Sequence, residues 1–313
     1  MNITFCCTHT NPKAWLQALG AALPEHDITL WDAEAPHRNA AADAAIVWAP
    51  PQAFFDQQPT LKVAFNLGAG VDALLEKRLP PDLAVIRLDD AGMSVQMAEY
   101  VLQAVVRYFR EFAAYEQDMR AGEWSFRRPR QRQDFTVGIM GCGVLGQRVA
   151  MALQHFEYPV AGWSRRPKVL SGVQMYAGDA ALPDFFAACA VVVCLLPLTP
   201  ETQHILCARN LKHLPVGSYV VNAARGAHLV ESDLLALLDG GHLAGATLDV
   251  YTTEPLPEDH AFRRHEKITC TPHAAARTLR DASVVQIVGK LKQWASGTPA
   301  HQLPGYVDLA RGY

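Results

Sequence analysis

Short apolar runs rich in β-branched residues alternate with helical stretches along the first hundred positions of the chain. The runs predict strands at 2–8, 28–31, 45–48 and 61–67. Helices are predicted between them at 12–23 and 71–79. This alternation is typical of βαβ units, in which helices cover both faces of a parallel sheet. The first part of the chain is therefore expected to be α/β.

A second set of the same kind begins near Phe135. Its apolar runs predict strands at 136–140, 160–163, 191–196, 218–223, 246–250 and 268–271. Helical stretches separate most of these runs, and a last helix is predicted at 275–296. The pattern as a whole therefore predicts an α/β fold.

Between the two sets the apolar period changes to that of a helix. Large apolar residues recur there at three- and four-residue spacing, at Met97, Tyr100, Val101, Ala104, Val105, Tyr108, Phe109 and Phe112. The spacing predicts one long helix that ends near Gly122. Its apolar face fits a core helix, and it also fits a helix that supports a subunit interface. The second interpretation predicts a dimer.

Composition narrows the class of protein. At 313 residues the chain has room for two domains and for a core that needs no metal or disulfide. Half of its residues are hydrophobic and 19% are charged, which excludes disorder of the whole chain. Its 28 Lys and Arg against 31 Asp and Glu give a net charge of −3, which is not the positive field of a nucleic-acid-binding protein.

The same inventory bears on location and partners. The longest apolar run covers ten residues, 187–196, against the roughly 18 that a membrane span needs. The N-terminus lacks the cationic and apolar regions of a secretory signal. Seven cysteines, among them adjacent Cys6 and Cys7, form no C-x-x-C motif and indicate reduced thiols. We therefore expect a cytoplasmic protein without nucleic-acid, membrane or metal partners, in which the basic segment 127–132 is an exposed connector.

A glycine-rich loop follows the first strand of the second set. Gly141, Gly143 and Gly146 form G-x-G-x-x-G between a buried strand and an amphipathic helix, the context of a dinucleotide-binding fingerprint. The first glycine allows the tight turn, the second lets the backbone approach the pyrophosphate, and the third lets helix and strand pack closely. The N-terminus of the helix, at Val144 and Leu145, would offer N–H groups to the phosphates.

The next strand distinguishes two nucleotides. An acid roughly 20 residues past the glycines usually binds the free ribose 2′-hydroxyl of NAD. The chain has Ser164, Arg165, Arg166 and Lys168 there, and no acid. Arginine makes charge-assisted, bidentate bonds to phosphate, so the pattern favours NADP(H) over NAD(H), with Arg165 as the principal ligand. Arg166 and Lys168 are as easily explained as solvated side chains.

Four polar motifs lie downstream, each at or just beyond the carboxyl end of a predicted strand. They contain Arg225, Asp249, Glu254 and His273. Open α/β sheets bind ligands at that edge. Singly, such residues are ordinary, since a lone arginine is usually a surface residue. Together they offer a cation for a carboxylate, a proton donor, and an acid that orients the donor.

These motifs, the glycine loop and the segment Asn66-Leu-Gly-Ala-Gly-Val-Asp72 resemble the D-isomer-specific 2-hydroxyacid dehydrogenase family over essentially the whole chain. Within the family, the chain is most similar to a bacterial subgroup that reduces glyoxylate and hydroxypyruvate with NADPH. This closer resemblance rests on Trp48-Ala-Pro-Pro51, Trp163-Ser-Arg165, the segment 195–202 and the ending Ala310-Arg-Gly-Tyr313. Cys142, at a position where the family often has Ala or another small residue, is a departure expected to be harmless.

The resemblance implies a role for each motif residue. Arg225 would bind the 2-oxo acid carboxylate and polarise its carbonyl, while His273 would give a proton to the carbonyl oxygen as hydride arrives from nicotinamide C4. Glu254 would hydrogen-bond His273 and favour its protonated form. The implied substrate contacts are Arg225, His273, Trp48 and the backbone N–H groups of Ala69 and Gly70. The implied cofactor contacts are Gly141, Gly143, Val144, Leu145, Gly146, Ser164, Arg165, Arg166, Pro197, Thr199, Ala223 and Asp249.

The family also implies two doubly wound, Rossmann-like parallel-sheet domains with a cleft between them. A discontinuous substrate-binding domain would cover 1–96 and 284–313, and an NADP-binding domain 97–283, through which the family commonly dimerises. Two alternatives stay open. One is a reductase of the same mechanism for a larger 2-oxo acid, and the other is a non-catalytic NAD(P)-sensing protein, since the fold also occurs in transcriptional corepressors. The possible walls of the substrate pocket are Trp48, Met93, Trp124 and Tyr251.

Overall fold

The computed structural model describes residues 1–8, 11–36 and 39–311. The chain divides into a first unit, Met1–Gly92 with Thr278–Tyr313, and a second unit, Met93–Arg277. The boundaries expected from the sequence, 96/97 and 283/284, fall inside the helices Met93–Phe109 and Arg280–Ala295, each of which stays whole in one unit. Gly312 and Tyr313 of the family-like ending lie outside the described residues.

The strands and helices have the following bounds in the described part of the chain. The strands are β1 Asn2–Cys7, β2 Asp27–Leu30, β3 Ala44–Trp48, β4 Val63–Asn66, β5 Ala84–Arg87, β6 Val137–Met140, β7 Val160–Ser164, β8 Val173–Ala177, β9 Val191–Cys194, β10 Ser218–Asn222, β11 Leu243–Leu248 and β12 Ile268–Cys270. The α-helices are α1 Pro12–Ala22, α2 Gln52–Asp56, α3 Asp72–Leu75, α4 Met93–Phe109, α5 Phe112–Arg120, α6 Val144–His155, α7 Leu182–Ala187, α8 Ala208–Leu211, α9 Glu231–Asp239 and α10 Arg280–Ala295.

The first unit is built on a parallel sheet in the order β2-β1-β3-β4-β5. Apart from half-buried Trp48, the residues of β3 and β4 are buried, as expected of central strands covered on both faces. α1 begins at Pro12, and Asn11 caps it by accepting a hydrogen bond from the Lys13 N–H at 3.0 Å. Because β3 and β4 are parallel, Trp48 and the segment after Asn66 lie at the same edge of the sheet.

The second unit contains a larger parallel sheet in the order β12-β11-β10-β9-β6-β7-β8. The strand order changes direction at β6, which lies between β7 and β9, and such switch points are where open α/β sheets bind ligands. α4 and α6 contribute Val101, Val105, Val149 and Leu153 to the core cluster on one face. Because the strands are parallel, their carboxyl ends lie at the same edge of the sheet. The predicted cofactor and catalytic residues of this unit lie at or just beyond these ends.

The α/β fold class with parallel sheets is confirmed. The apolar pattern did not predict β5 and β8, which both lie at the edge of their sheets. Only the two middle residues of β5 are buried, and the residues of β8 are half-buried or exposed, so neither strand is a continuous buried apolar run. The single long helix predicted to end near Gly122 is wrong. Glu111 has a left-handed φ of 55° and separates α4 from α5, which buries no residue. Among residues 1–8, 11–36 and 39–311, no helix is both long and apolar enough to span a membrane.

Candidate active site

The glycine loop joins β6 to α6 at the switch point of the sheet. Gly141 has a φ of 99°, a region that favours glycine, and a Cβ there would lie 2.6 Å from the Leu195 carbonyl oxygen. A Cβ on Gly146 would lie 2.1 Å from the Gly141 carbonyl oxygen, so helix and loop are in direct contact. A Cβ on Gly143 would meet no atom within 4 Å, which leaves this backbone open to a ligand. The loop thus has the turn, open approach and close packing that suit a pyrophosphate.

The first turn of α6 borders this open backbone. Val144 is exposed and Leu145 half-buried, and N–H groups in the first turn of a helix have no helical partners. The helix is long enough, at 12 residues, for its dipole to place partial positive charge there. The local geometry therefore fits the phosphate groups of a dinucleotide.

Cys142 lies buried within the loop. Its Sγ contacts the carbonyl oxygens of Ile139 and Trp163, and burial raises the pKa of its thiol to about 11, although nearby Lys168 acts in the opposite direction. The Cys142 carbonyl oxygen accepts a hydrogen bond from the Nζ of Lys168. Lys168 therefore brings a cation to the glycine loop, a role that the sequence alone did not distinguish from that of a solvated side chain.

The residues expected to bind a 2′-phosphate follow β7. Ser164 Oγ donates a hydrogen bond to the Arg166 carbonyl oxygen at 2.7 Å, which shapes the turn, while both arginine side chains remain accessible. Arg165 Nη1 lies 3.0 Å from Glu201 Oε2, and that oxygen also accepts a hydrogen bond from Thr199 Oγ1 at 2.7 Å. The structure therefore brings Arg165 and Thr199, two predicted cofactor contacts, to one carboxylate that sequence reasoning did not single out.

The segment after β9 forms a turn that is stabilised by hydrogen bonds of the Thr202 hydroxyl group. Thr202 Oγ1 donates to the Pro197 carbonyl oxygen at 2.7 Å and accepts from the Thr199 N–H at 2.8 Å. Thr199 and Thr202 are both buried. Pro197 and Thr199 are therefore held in a fixed turn at the carboxyl edge of the sheet.

His273 and Glu254 form the predicted pair. His273 Nδ1 lies 2.8 Å from Glu254 Oε2, and Glu254 Oε1 accepts a hydrogen bond from the Tyr251 N–H at 3.0 Å. An ionised carboxylate only accepts hydrogen bonds, so Nδ1 carries a proton and Nε2 is the ring nitrogen available to a ligand. One carboxylate thus orients the imidazole while it binds its own loop.

The segment 271–275, which follows β12 and bears His273, is anchored on buried Asp249 directly after β11. Asp249 Oδ1 accepts hydrogen bonds from Thr271 Oγ1 at 2.6 Å and from the Ala274 N–H at 2.8 Å, and Oδ2 accepts one from the Ala275 N–H at 2.8 Å. The Asp249 carbonyl oxygen accepts the His273 N–H at 2.8 Å. Asp249 therefore positions His273 from both sides, a role that was not predicted beside its expected contact with the cofactor.

Arg225 lies in a turn after β10 that is held by buried groups. Its N–H donates to His228 Nδ1 at 3.2 Å, and its carbonyl oxygen accepts from Asn222 Nδ2 at 3.0 Å. A Cβ on Gly226 would lie 1.9 Å from the Tyr251 carbonyl carbon, so this turn packs directly on the loop that bears Glu254. These contacts connect the Arg225 turn with the His273 pair in one unit.

His228 and Ala223 complete this region. His228 is fully buried, and its Nε2 lies 3.3 Å from the Pro197 carbonyl oxygen, so it links the turn of Arg225 to the segment after β9. Sequence reasoning missed His228, whose only sequence signal is a place three residues after Arg225 beyond a buried strand. Ala223, a predicted cofactor contact, is buried directly after β10.

The remaining predicted substrate residues belong to the first unit. Ala69 and Gly70 are half-buried in the segment after β4, and the Trp48 ring packs on Gly68, where a Cβ would lie 2.2 Å from it. Of the possible pocket walls in the second unit, Trp124 is 79% exposed, so it encloses nothing within its own unit. The Tyr251 hydroxyl is hydrogen-bonded to the carbonyl oxygens of Leu248 and Thr271.

Comparison with known proteins identifies the class. Residues 102–275, more than half of the chain, match the family described as D-isomer specific 2-hydroxyacid dehydrogenase, NAD binding domain. The chain therefore belongs to the D-isomer specific 2-hydroxyacid dehydrogenase family, and the predicted family and oxidoreductase class are confirmed.

Individual relatives are similar over their full length. The glyoxylate/hydroxypyruvate reductase A of Serratia proteamaculans (strain 568) is 44% identical over 320 residues, which cover 100% of both chains. A crystal structure of a D-isomer specific 2-hydroxyacid dehydrogenase from Xanthobacter autotrophicus Py2, in complex with NADPH and MES, has a TM-score of 0.93 and 39% identity, covering 100% of this chain and 99% of that one. An NADPH-dependent glyoxylate/hydroxypyruvate reductase from Sinorhizobium meliloti, in complex with NADP and sulfate, has a TM-score of 0.92 and 34% identity, with the same coverage.

Proposed function

We propose that the chain catalyses the NADPH-dependent reduction of small 2-oxo acids, glyoxylate to glycolate and hydroxypyruvate to D-glycerate. The observation that carries the proposal is the His273–Glu254 pair at 2.8 Å, joined through the Tyr251 loop to the Arg225 turn in the unit that holds the glycine loop. The names of the relatives from Serratia and Sinorhizobium support the substrate class.

Each side chain then has one task in the reaction. When bound, NADPH supplies the hydride that adds to the carbonyl carbon. Arg225 binds the substrate carboxylate and stabilises negative charge that develops on the carbonyl oxygen. His273 Nε2 gives its proton to that oxygen, while Glu254 holds the imidazole by Nδ1 and stabilises its positive charge. Ala69 and Gly70 bind the carboxylate through their N–H groups, and Trp48 contacts the substrate.

The preference for NADPH rests on the residues after β7. Arg165 and Arg166 offer guanidinium groups, and Lys168 places an ammonium group on the glycine loop. Three cations match the two negative charges of a 2′-phosphate better than a neutral ribose hydroxyl. Relatives from Xanthobacter and Sinorhizobium were crystallised with NADPH or NADP.

We also propose that the enzyme is a cytoplasmic homodimer. In the described part of the chain none of the seven cysteines forms a disulfide, as expected of a protein in a reducing compartment.

The dimer is supported by exposed apolar side chains outside α4. The apolar face of α4 itself is used inside the second unit, where Val101 and Val105 are buried. Large apolar groups are exposed beyond α4 instead, with Trp124 and Phe126 at 79% and 86% exposure, and they are the surface that a second copy would cover. Light scattering at micromolar concentration should give twice the chain mass, and a particle near 34.3 kDa would contradict the dimer.

A steady-state assay of NADPH oxidation with a panel of 2-oxo acids tests the function. Glyoxylate and hydroxypyruvate should give the highest kcat/KM, and 2-oxo acids with longer side chains should give lower values. A maximum at a longer side chain would favour a reductase for a larger substrate. Binding of NADPH without turnover of any 2-oxo acid would favour a nucleotide-sensing protein.

A further inference from the structure

In the segment between β4 and α3, the backbone carbonyl oxygens accept hydrogen bonds from side chains of the same unit. Asn66 Nδ2 donates hydrogen bonds to the Gly68 carbonyl oxygen at 3.0 Å and to the Gly70 carbonyl oxygen at 2.8 Å. Arg87 Nη1 donates to the Ala69 carbonyl oxygen at 3.2 Å. The Leu88 N–H adds a second bond to the Gly68 oxygen at 3.2 Å. Three successive carbonyl groups are therefore bound by donors of their own unit.

Peptide geometry determines where the opposite groups point. In a planar trans peptide the C=O and the following N–H point in opposite directions. The Gly68 carbonyl is turned toward Asn66, so the Ala69 N–H points away from it. The Ala69 carbonyl is turned toward Arg87, so the Gly70 N–H points away from the guanidinium. In the described residues neither N–H has a hydrogen-bond partner, which leaves two adjacent donors for an anion.

Arg87 adds a charge that the surrounding residues do not neutralise. Across the part of the chain that the structure describes, no carboxylate lies within ion-pair distance of Arg87, and its Nε is buried without a hydrogen-bond partner. The neighbouring carboxylate, that of Asp89, is paired with Lys290 at 3.0 Å. Lys290 Nζ also donates to the Arg87 carbonyl oxygen at 2.7 Å, and the Arg87 N–H donates to the Gly305 carbonyl oxygen at 2.8 Å. The backbone of Arg87 is thus held firmly, and its guanidinium charge lies directly behind the loop.

We propose that Asn66 and Arg87 are positioning residues for the substrate carboxylate, an inference that rests on the proposed function. Asn66 turns the Ala69 N–H outward, and Arg87 turns the Gly70 N–H outward while its positive charge strengthens the attraction of that pair for a carboxylate. Neither side chain touches the substrate in this assignment. Both act through the backbone of a three-residue segment.

The test compares Arg87→Gln and Arg87→Lys with wild type, using oxalate as a binding probe in the presence of NADP⁺ and glyoxylate as the substrate. Arg87→Gln should raise the oxalate dissociation constant and the KM for glyoxylate by about tenfold, because a charged hydrogen-bond donor behind the loop is lost. The KM for NADPH should change less than about twofold. Arg87→Lys keeps the charge without the planar guanidinium and should give an intermediate loss. Arg78→Gln removes an exposed arginine of the same unit and serves as the matched control.

Asn66 is tested in parallel by Asn66→Asp, which replaces the donor of two hydrogen bonds with a carboxylate facing carbonyl oxygens. It should weaken oxalate binding more than Arg87→Gln does, and Asn66→Ser provides a milder variant if Asn66→Asp does not fold. Circular dichroism melting establishes folding for each variant. Oxalate bound equally by wild type and folded Arg87→Gln would overturn the inference. Failure of wild type to bind oxalate and to reduce any 2-oxo acid would instead contradict the proposed function.

Discussion

The Arg165 guanidinium lies 3.0 Å from a carboxylate oxygen of Glu201. The hydrogen bond from Thr199, with a contribution from Arg165 itself, holds the pKa of Glu201 below its usual value, so the group is ionised at neutral pH. An anion of the chain therefore already lies against the arginine that we assign to the cofactor 2′-phosphate. The phosphate and Glu201 would compete for one guanidinium.

Replacing Arg165 and replacing Glu201 should change the preference for NADPH over NADH in opposite directions. Arg165→Ala should raise the KM for NADPH by about tenfold and leave the KM for NADH nearly unchanged, because only NADPH carries the 2′-phosphate. Glu201→Gln should lower the KM for NADPH by roughly threefold, a modest effect because exposed ion pairs are weak. Initial rates with both cofactors measure this, with Arg209→Ala, an exposed arginine elsewhere in the second unit, as the control. Equal kcat/KM of the wild type for the two cofactors would contradict the assignment.

The proton donor is tested at His273 and Glu254. His273→Ala should lower kcat by a factor on the order of 10² to 10⁴ while the dissociation constant of NADPH is retained. Glu254→Gln keeps a hydrogen-bonding group of the same shape but removes the charge that stabilises the imidazolium, so its kcat should fall on the order of 10²-fold. Single-turnover rates and fluorescence titration with NADPH separate the two quantities. A near wild-type rate of glyoxylate reduction by His273→Ala would show that another group donates the proton.

Asp249 should affect folding and chemistry together. Asp249→Asn puts an amide where both carboxylate oxygens accept hydrogen bonds, so an N–H donor of the protein would lose its acceptor. We expect a loss of about 1–3 kcal/mol in the free energy of unfolding and a fall in kcat, since the backbone of His273 depends on this residue. Urea unfolding and steady-state rates measure the two effects. Asp239→Asn, at an exposed carboxylate, is the control, and an Asp249→Asn enzyme with wild-type stability would show that the anchor is dispensable.

The thiol of Cys142 should be unreactive at neutral pH. Burial raises its pKa to about 11, so the thiolate fraction grows only as the pH approaches that value. Alkylation by iodoacetamide, followed by mass spectrometry, should be slow at Cys142 at pH 7 and faster toward pH 11, whereas half-buried Cys207 should react sooner than Cys142. Cys142→Ala should retain NADPH binding. Rapid labelling of Cys142 at pH 7 would mean that the glycine loop opens.

The sequence predicts the parts of this molecule that depend on local pattern. Buried parallel strands are continuous apolar runs, and the glycine loop is constrained by backbone geometry, so both can be predicted from spacing alone. The half-buried edge strand β8 has no such run. The left-handed turn at Glu111 interrupts a helical period that continues beyond it, and no residue with a strong breaking tendency marks the place.

In the candidate site, too, residues that a local pattern predicts differ from residues that only the folded structure brings together. His273, Glu254 and Arg225 stand out because their residue types are suited to chemistry. His228, Glu201 and the anchoring role of Asp249 depend on contacts between loops that are distant in sequence, and each looks ordinary within its own segment. The role of Lys168 likewise depends on a hydrogen bond to a carbonyl oxygen 26 residues away. Such groups become visible only when the strands are placed beside one another.

His273 has a left-handed backbone with a φ of 52°. The residue that we assign to proton transfer therefore lowers the stability of the fold at its own position. The left-handed conformation costs an L-residue about 1–2 kcal/mol relative to the right-handed one, and asparagine adopts it more easily because its short side chain can hydrogen-bond locally. His273→Asn should therefore lower kcat as much as His273→Ala does. It should nevertheless unfold at a temperature equal to or above that of the wild type in scanning calorimetry, because the exposed pair with Glu254 contributes little to stability. A lower unfolding temperature would mean that the imidazole itself supports the fold. Selection for heat resistance alone would replace this histidine, and only selection for turnover would retain it.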